Sequence, residues 1–194
     1  MTERLKVFDE DYRYIGEETR DMVHEKGLWH ETFHCWLVDE TNVYIQKRSY
    51  AKKDFPGLYD ITAAGHLLAS EKVMDGIREV EEELGITVDS AKLLKAGVVR
   101  DVIRLPGFID KEFTNVFLYQ STFSPTDFSL QKEEVEGIYT VLINDLKALF
   151  QNERYRVLCT NLMDGVQGEA TLNDFVPHET DYFNKVAEML EREK

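Results

Sequence analysis

The sequence predicts an α/β fold of the α+β kind, a mixed β-sheet with helices packed on its faces. Three observations predict it. Short runs rich in aromatic and β-branched residues recur between turn-like residues, a clear helical period takes over after Ser70, and helical patterns return near 144–152 and 180–192. With 43% hydrophobic and 31% charged residues, the 194-residue chain has the balance of one globular core with appendages.

In chain order, residues 4–26 alternate weakly and read as a short strand or hairpin followed by a helical turn. His30 to Val38 is strand-like, Asp39-Glu40-Thr41-Asn42 is turn-like, and Val43 to Arg48 is a second strand, together a hairpin signal. Pro56-Gly57 punctuates the chain before a short strand from Tyr59 to Ala63. Ser70 can cap the next helix, with Glu71 in its first turn facing the positive end of the helix dipole. Val73, Ile77, Val80 and Leu84 form one apolar stripe along it, and Gly85 ends it. Strands follow at Lys95 to Leu105, Glu112 to Ser121 and Glu136 to Leu142, then helices near Asn144 to Asn152 and from about Thr180 to Arg192.

A formal charge of −14 makes the surface repel phosphate backbones, so long nucleic acid and anionic lipid are disfavoured partners. The N-terminus has no apolar signal core and no run approaches a membrane span, so a cytoplasmic protein is expected. Cys35 and Cys159 sit in apolar surroundings without metal spacing and read as buried thiols.

The chemistry concentrates in Arg78-Glu79-Val80-Glu81-Glu82-Glu83-Leu84-Gly85-Ile86. Residues three and four apart share a helix face, so Glu79 sits beside Glu82 and Glu83, flanking the apolar stripe. Like charges at that spacing cost about 0.2–0.5 kcal/mol per pair. A divalent cation offsets them, and hard oxygen ligands suit Mg²⁺, with Mn²⁺ as the other candidate. Glu82 and Glu83 are expected as surface acids. In so acidic a chain, Lys47-Arg48 followed by Lys52-Lys53 stands out as an anion receptor.

With Gly65 after a strand and Glu71 ahead of Arg78, this segment resembles the Nudix family box: Gly, five residues, Glu, seven residues, then Arg-Glu-hydrophobic-x-Glu-Glu-x-Gly-hydrophobic. The second half matches throughout. The first half has one residue fewer between Glu71 and Arg78, and a one-residue deletion there keeps Gly65 and Glu71 in register. The resemblance implies a Nudix-like α/β/α sandwich, with Glu79, Glu82 and Glu83 as metal ligands and catalytic acids, and with the Gly65 loop at the substrate.

Over roughly His30 to Leu146 the chain is similar to isopentenyl-diphosphate isomerase and its hydrolase-like relatives. His30-Glu31-Thr32-Phe33-His34-Cys35-Trp36-Leu37, Gln46 to Gly57, Ala64-Gly65-His66 and Asp110 to Phe117 carry that likeness. It implies Arg48 and Lys52 as substrate-binding residues and Glu112 as a catalytic acid. His30 and His66 match metal-site histidines of the isomerase, and His24 lies near a third but one residue out of register. The isomerase carries a cysteine immediately before its Gly-His pair. This chain has Ala64, whose methyl transfers no proton, and the isomerase reading loses an acid/base partner there.

The sequence thus points to a Nudix hydrolase cleaving a diphosphate linkage, in a nucleoside diphosphate linked to another moiety or a similar small molecule, by metal-activated water. Glu79, Glu112, Asp110, Glu133 and Glu134 are candidates for the general base. An isopentenyl-diphosphate isomerase and a noncatalytic nucleotide-sensing module are the alternatives. The expected organisation is an N-terminal extension at 1–27, the Nudix domain at 28–150 and a C-terminal helical extension at 151–194 packed on the same domain. Covering the pocket and building a homodimer are the two open roles for the extensions. Trp29, Trp36, Tyr50, Phe55 and Tyr59 are weighed as base-stacking residues, with packing favoured.

Overall fold

The computed structural model describes residues 3–191. The elements run β1 (Arg4–Phe8), β2 (Tyr14–Thr19), α1 (Arg20–Lys26), β3 (Trp29–Val38), β4 (Asn42–Arg48), β5 (Tyr59–Asp60), β6 (Ala63–His66) and α2 (Arg78–Leu84). After them come β7 (Leu94–Leu105), β8 (Phe108–Gln120), β9 (Val135–Leu142), α3 (Ile143–Phe150), β10 (Arg156–Asn161), β11 (Gln167–Thr171) and α4 (Thr180–Glu191). Arg192, at the expected end of the last helix, lies outside the described residues.

β3 is the axis of a mixed sheet. It runs parallel to β8 from Trp29↔Lys111 to Val38↔Gln120, antiparallel to β6 from Thr32↔His66 to Cys35↔Ala63, and meets β4 at Val38↔Val43. β7 extends the sheet beyond β8, while β9, β10 and β11 extend it beyond β4. Strand alternation sends successive β3 side chains to opposite faces. Phe33, Cys35 and Leu37 pack with Val80 and Leu84 of α2, while Trp36 and Val38 pack with Leu146 and Phe150 of α3 and Phe183 and Val186 of α4. Helices therefore cover both faces, the sandwich the sequence predicts.

Three local outcomes differ from expectation. The run from Tyr59 to Ala63 is two strands, because β5 pairs with β4 and β6 with β3. β3 and β4 diverge, and Thr62 fills the wedge between them: its Oγ accepts from Leu37 N at 3.0 Å and donates to Tyr44 O. The α-helix also starts late. Ser70 and Glu71 lie in the preceding loop, Val73–Ile77 is a 3₁₀ turn, and α2 begins at Arg78. Finally, 151–194 holds the β10–β11 hairpin as well as the closing helix.

Both cysteines are free and buried, and among the described residues no helix is long and apolar enough to cross a membrane. Trp36 and Tyr59 are core residues, Trp29 lies under Arg100 and Lys111, and Tyr50 is exposed.

Candidate functional site

α2 presents its acids toward β6. Gly65 has no Cβ, and a Cβ there would overlap the Glu79 carboxyl group, so the glycine is what allows that carboxylate onto the strand. Arg78 organises the rest. Its Nε donates to Glu71 Oε1 at 2.6 Å, Nη2 to Glu71 Oε2 and to the His66 carbonyl at 3.1 Å each, and Nη1 to Glu79 at 2.6 Å and Glu82 at 3.2 Å. Glu71 thus reaches Arg78 despite the missing residue. Five residues of 3₁₀ helix at about 2.0 Å rise span what six or seven span at about 1.5 Å, so the tighter turn absorbs the deletion.

The two expected surface acids separate. Glu82 is exposed, but Glu83 is only 6% accessible. Glu83 Oε2 accepts from Gln46 Nε2 at 3.1 Å and from Ala64 N at 3.4 Å. Burial first, and then the charge of Glu79, pushes its carboxyl up to about 8; burial also raises Glu79. Arg78 already offsets the charge of Glu79 and Glu82, as the cation was expected to do, but among the described residues no guanidinium contact reaches Glu83. Gly85 closes the helix at φ +69°, where its would-be Cβ meets Ser129 at 2.6 Å.

The basic residues split as well. Lys52 pairs with Glu134, and its charge acts on Glu83. Arg48 turns aside: Nη1 donates to Asp60 at 2.7 Å, and Nε and Nη2 donate to the Asp54 carbonyl at 3.3 and 3.0 Å. Lys52 comes to the Glu83 side of the box acids, whereas Arg48 is braced on the Asp60 side. Glu133 is exposed.

A second group lies on the other face of β6, because Gly65 and His66 point in opposite directions. His66 Nε2 is 3.2 Å from His24 Nε2, and Asp110 Oδ1 is 3.4 Å from His24 Nε2 and 3.3 Å from His30 Nε2. One ligand atom from each of these four residues falls within 4.8 Å of the others. His24, one residue out of register in sequence, joins because helix α1 and its Gly27 turn deliver it, where strand register has no bearing.

The tautomers define the chemistry. His24 Nδ1 and His30 Nδ1 meet backbone carbonyls of Arg20 and Leu28 at 2.8 and 3.1 Å, so each donates there and leaves a lone pair on Nε2. In the neutral rings both Nε2 lone pairs turn toward Asp110 Oδ1, and where the Asp110 charge keeps His24 protonated its Nε2 donates to that carboxylate instead. His30 Nε2 and Asp110 Oδ1 are buried and neither makes a hydrogen bond among the described residues, although they are 3.3 Å apart. Burial alone would lower both His24 and Asp110 in charge, yet their pairing holds His24 above its ordinary value and Asp110 well below its own; His66 falls well below. Such an arrangement fits a cation at its centre.

Glu112 belongs to this second face rather than to α2. Its Oε2 accepts from Thr32 Oγ1 at 3.2 Å and lies 3.5 Å from His34 Nε2, and burial followed by the charge of Asp110 raises its pKa. Ala64 pairs across the strands with His34, whose Nδ1 lies 2.9 Å from the Tyr182 hydroxyl. Sequence reading missed Gln46, Asp60, Asp101, His178 and Tyr182. The one signal it held was an acid inside an apolar strand run, as at Val99-Arg100-Asp101-Val102-Ile103.

The NUDIX domain profile matches residues 28–160. The chain is similar to an uncharacterized Nudix hydrolase of Clostridium acetobutylicum, 34% identical over 97% of each chain. It is also similar to isopentenyl-diphosphate Delta-isomerase of Mycolicibacterium vanbaalenii, 29% identical over 59% of this chain and 65% of that one. Among solved structures, DR0079 from Deinococcus radiodurans matches in fold with a TM-score of 0.62, covering 98% of both chains at 16% identity.

Proposed function

The chain belongs to the NUDIX domain family, and from that premise we propose that it is a Mg²⁺-dependent hydrolase cleaving the phosphoanhydride of a small diphosphate substrate, such as a nucleoside diphosphate linked to another moiety. The observation that carries this reading is the Glu79 carboxyl against Gly65, with Glu82 sharing its Arg78 partner and Glu83 on the neighbouring Ala64 amide, on a helix whose sequence matches the family box. Glu83 supports it further. A buried carboxyl pushed up to about 8 is ionised at neutral pH only beside additional positive charge.

Glu79, Glu82 and Glu83 would hold Mg²⁺ through oxygen, and His24, His30, His66 and Asp110 suit a borderline ion such as Mn²⁺ better than Mg²⁺. Bound divalent ions lower the pKa of water and neutralise charge on phosphate oxygens. Lys52 leaves Glu134 to take a substrate phosphate, and Arg48 offers the N–H groups that Asp60 and Asp54 do not use. Among the base candidates, Glu79 stands on the side of the box acids. Glu112, raised by burial, serves as a proton donor beside the histidine group.

A screen for phosphate release from nucleoside diphosphate sugars, dinucleotides and prenyl diphosphates, with and without Mg²⁺, tests the reading. Metal-dependent cleavage of at least one class supports it; binding without cleavage across the panel would make the chain a sensing module instead. The histidine group and Glu112 favour one second reading, allylic isomerisation of isopentenyl diphosphate, against which Ala64 stands. Incubation with isopentenyl diphosphate, followed by NMR, should show no allylic isomer.

A further inference from the structure

Beyond the family-matched residues, the segment leading into α4 returns to the middle of the sheet and inserts one side chain into a buried row of charges. His178 Nδ1 lies 2.6 Å from Asp101 Oδ2 and its Nε2 lies 3.3 Å from Asp60 Oδ1. Both partners are carboxylates, which only accept, so both ring nitrogens donate and the ring is an imidazolium. Asp101 Oδ1 also accepts from Glu179 N at 2.9 Å, and Asp60 Oδ1 from Ile61 N at 2.9 Å. Arg48 Nη1 occupies the remaining oxygen of Asp60 at 2.7 Å. The row therefore alternates as Arg48, Asp60, His178, Asp101, two cations and two anions. Asp60, Asp101 and the His178 side chain are each at least nine-tenths buried.

We propose that His178 is a positioning residue that fixes the reach of Arg48 toward the substrate phosphate through Asp60. The idea rests on the reading of Arg48 as a phosphate-binding residue. Three features carry it. Asp60 is the only side chain to which Arg48 donates among the described residues' hydrogen bonds, so that carboxylate sets the Nη1 side of the guanidinium while the Asp54 carbonyl holds Nε and Nη2. The carboxylate is held by a cation on each side, and removing His178 leaves Oδ1 with the Ile61 amide alone, so the carboxylate loses the charge that balances the pull of Arg48. Asp101 is itself a residue of β7 and accepts from both the His178 ring and the Glu179 amide, so it ties the brace and the tail to the sheet. A buried charge row of this length desolvates three groups and part of Arg48, and a helix that needed only an anchor would be held as well by apolar contacts of the kind Phe183 and Val186 already make.

Deleting His178 alone would strand buried negative charge, so the test removes a neutral pair. Asp101→Asn combined with His178→Gln keeps volume and hydrogen-bonding capacity while discharging both. Affinity for Mg²⁺-pyrophosphate, measured by calorimetry, should fall roughly tenfold in this protein, and adding Arg48→Ala should weaken it little beyond Arg48→Ala alone, the non-additivity of groups acting as one unit. Unchanged affinity in the folded pair variant, or full additivity with Arg48→Ala, overturns the proposal and leaves the phosphate-binding reading standing. Unchanged affinity in Arg48→Ala sinks both. If the pair variant does not fold, the wild type decides by ¹⁵N NMR. Saturating Mg²⁺-pyrophosphate should shift the His178 ring nitrogens together with the Arg48 guanidinium, and a His178 signal that stays still, or that reports one protonated nitrogen, overturns the proposal.

Discussion

At the scale of single residues, the local spacing of acids carried most of the information. Glu79, Glu82 and Glu83 share a helix flank whatever the rest of the chain does, so their grouping is legible from helical period alone. Their depth is not. Glu83 is buried because β4 brings Gln46 and β6 brings Ala64 N onto it, contacts separated by 37 and 19 residues in sequence. Glu82→Gln and Glu83→Gln should each reduce turnover by about 100-fold, the upper end of what losing a group that supports a metal site costs, while circular dichroism stays native. Glu83→Gln has the added feature that a neutral amide fits a site where burial already disfavours charge, so its melting temperature should hold or rise. Gly65→Ala acts by shape: the added methyl would occupy the place of the Glu79 carboxylate. Turnover should collapse as in the glutamine variants, together with a loss of roughly 1–3 kcal/mol in chemical denaturation, the usual cost of overpacking.

At the scale of elements, long strands and helices with strong patterns were readable, and those defined by their partners were not. β3, β4, β7, β8 and β9 each carry enough β-branched and aromatic residues to announce themselves. The β10–β11 hairpin does not, because β10 alternates buried Val157 and Cys159 with exposed neighbours over six residues and joins β9 only at Thr160 and Asn161. The division of 59–66 between two partner strands likewise depends on how β3 and β4 splay, which no local pattern encodes. The same limit hid His24. Its place in the histidine group is set by helix α1, which precedes the family-matched residues and is anchored through Val23 to Leu5 and Val7 of β1. His24→Ala and His30→Gln should each weaken Mn²⁺ binding by roughly 10- to 100-fold in calorimetry, the range for lost ligands or their supports. Equal Mn²⁺ affinity in both variants and wild type would remove the histidine group from the metal-binding account.

At the scale of the whole molecule, an acidic chain of net charge −14 holds its cations in chosen places: Arg78 among the box acids, Lys52 at Glu134, Arg48 and His178 around Asp60. The last of these links the tail to the sheet and gives folding a pH signature. Burial pulls the His178 imidazole down, but hydrogen bonds to Asp101 and then Asp60 overcome it and lift its pKa to about 10 from an ordinary 6.5. Stability from this cation is therefore complete below about pH 6.5 and fades as pH rises toward 10. The wild-type unfolding midpoint should fall across that window, and the Asp101→Asn, His178→Gln protein should show a flatter profile; parallel profiles would mean that the ring is not charged in the fold.

In the proposed reaction, Glu79, Glu82 and Glu83 place divalent ions where water can attack a phosphoanhydride. Its most direct test is hydrolysis of a cleaved diphosphate substrate in ¹⁸O-labelled water, with Mg²⁺ titrated against a chelator, in wild type and Glu82→Gln. The account predicts one labelled oxygen in a phosphate product, turnover that vanishes when Mg²⁺ is chelated, and near-complete loss in Glu82→Gln. Cleavage that persists without divalent ions, or that survives Glu82→Gln undiminished, would contradict it.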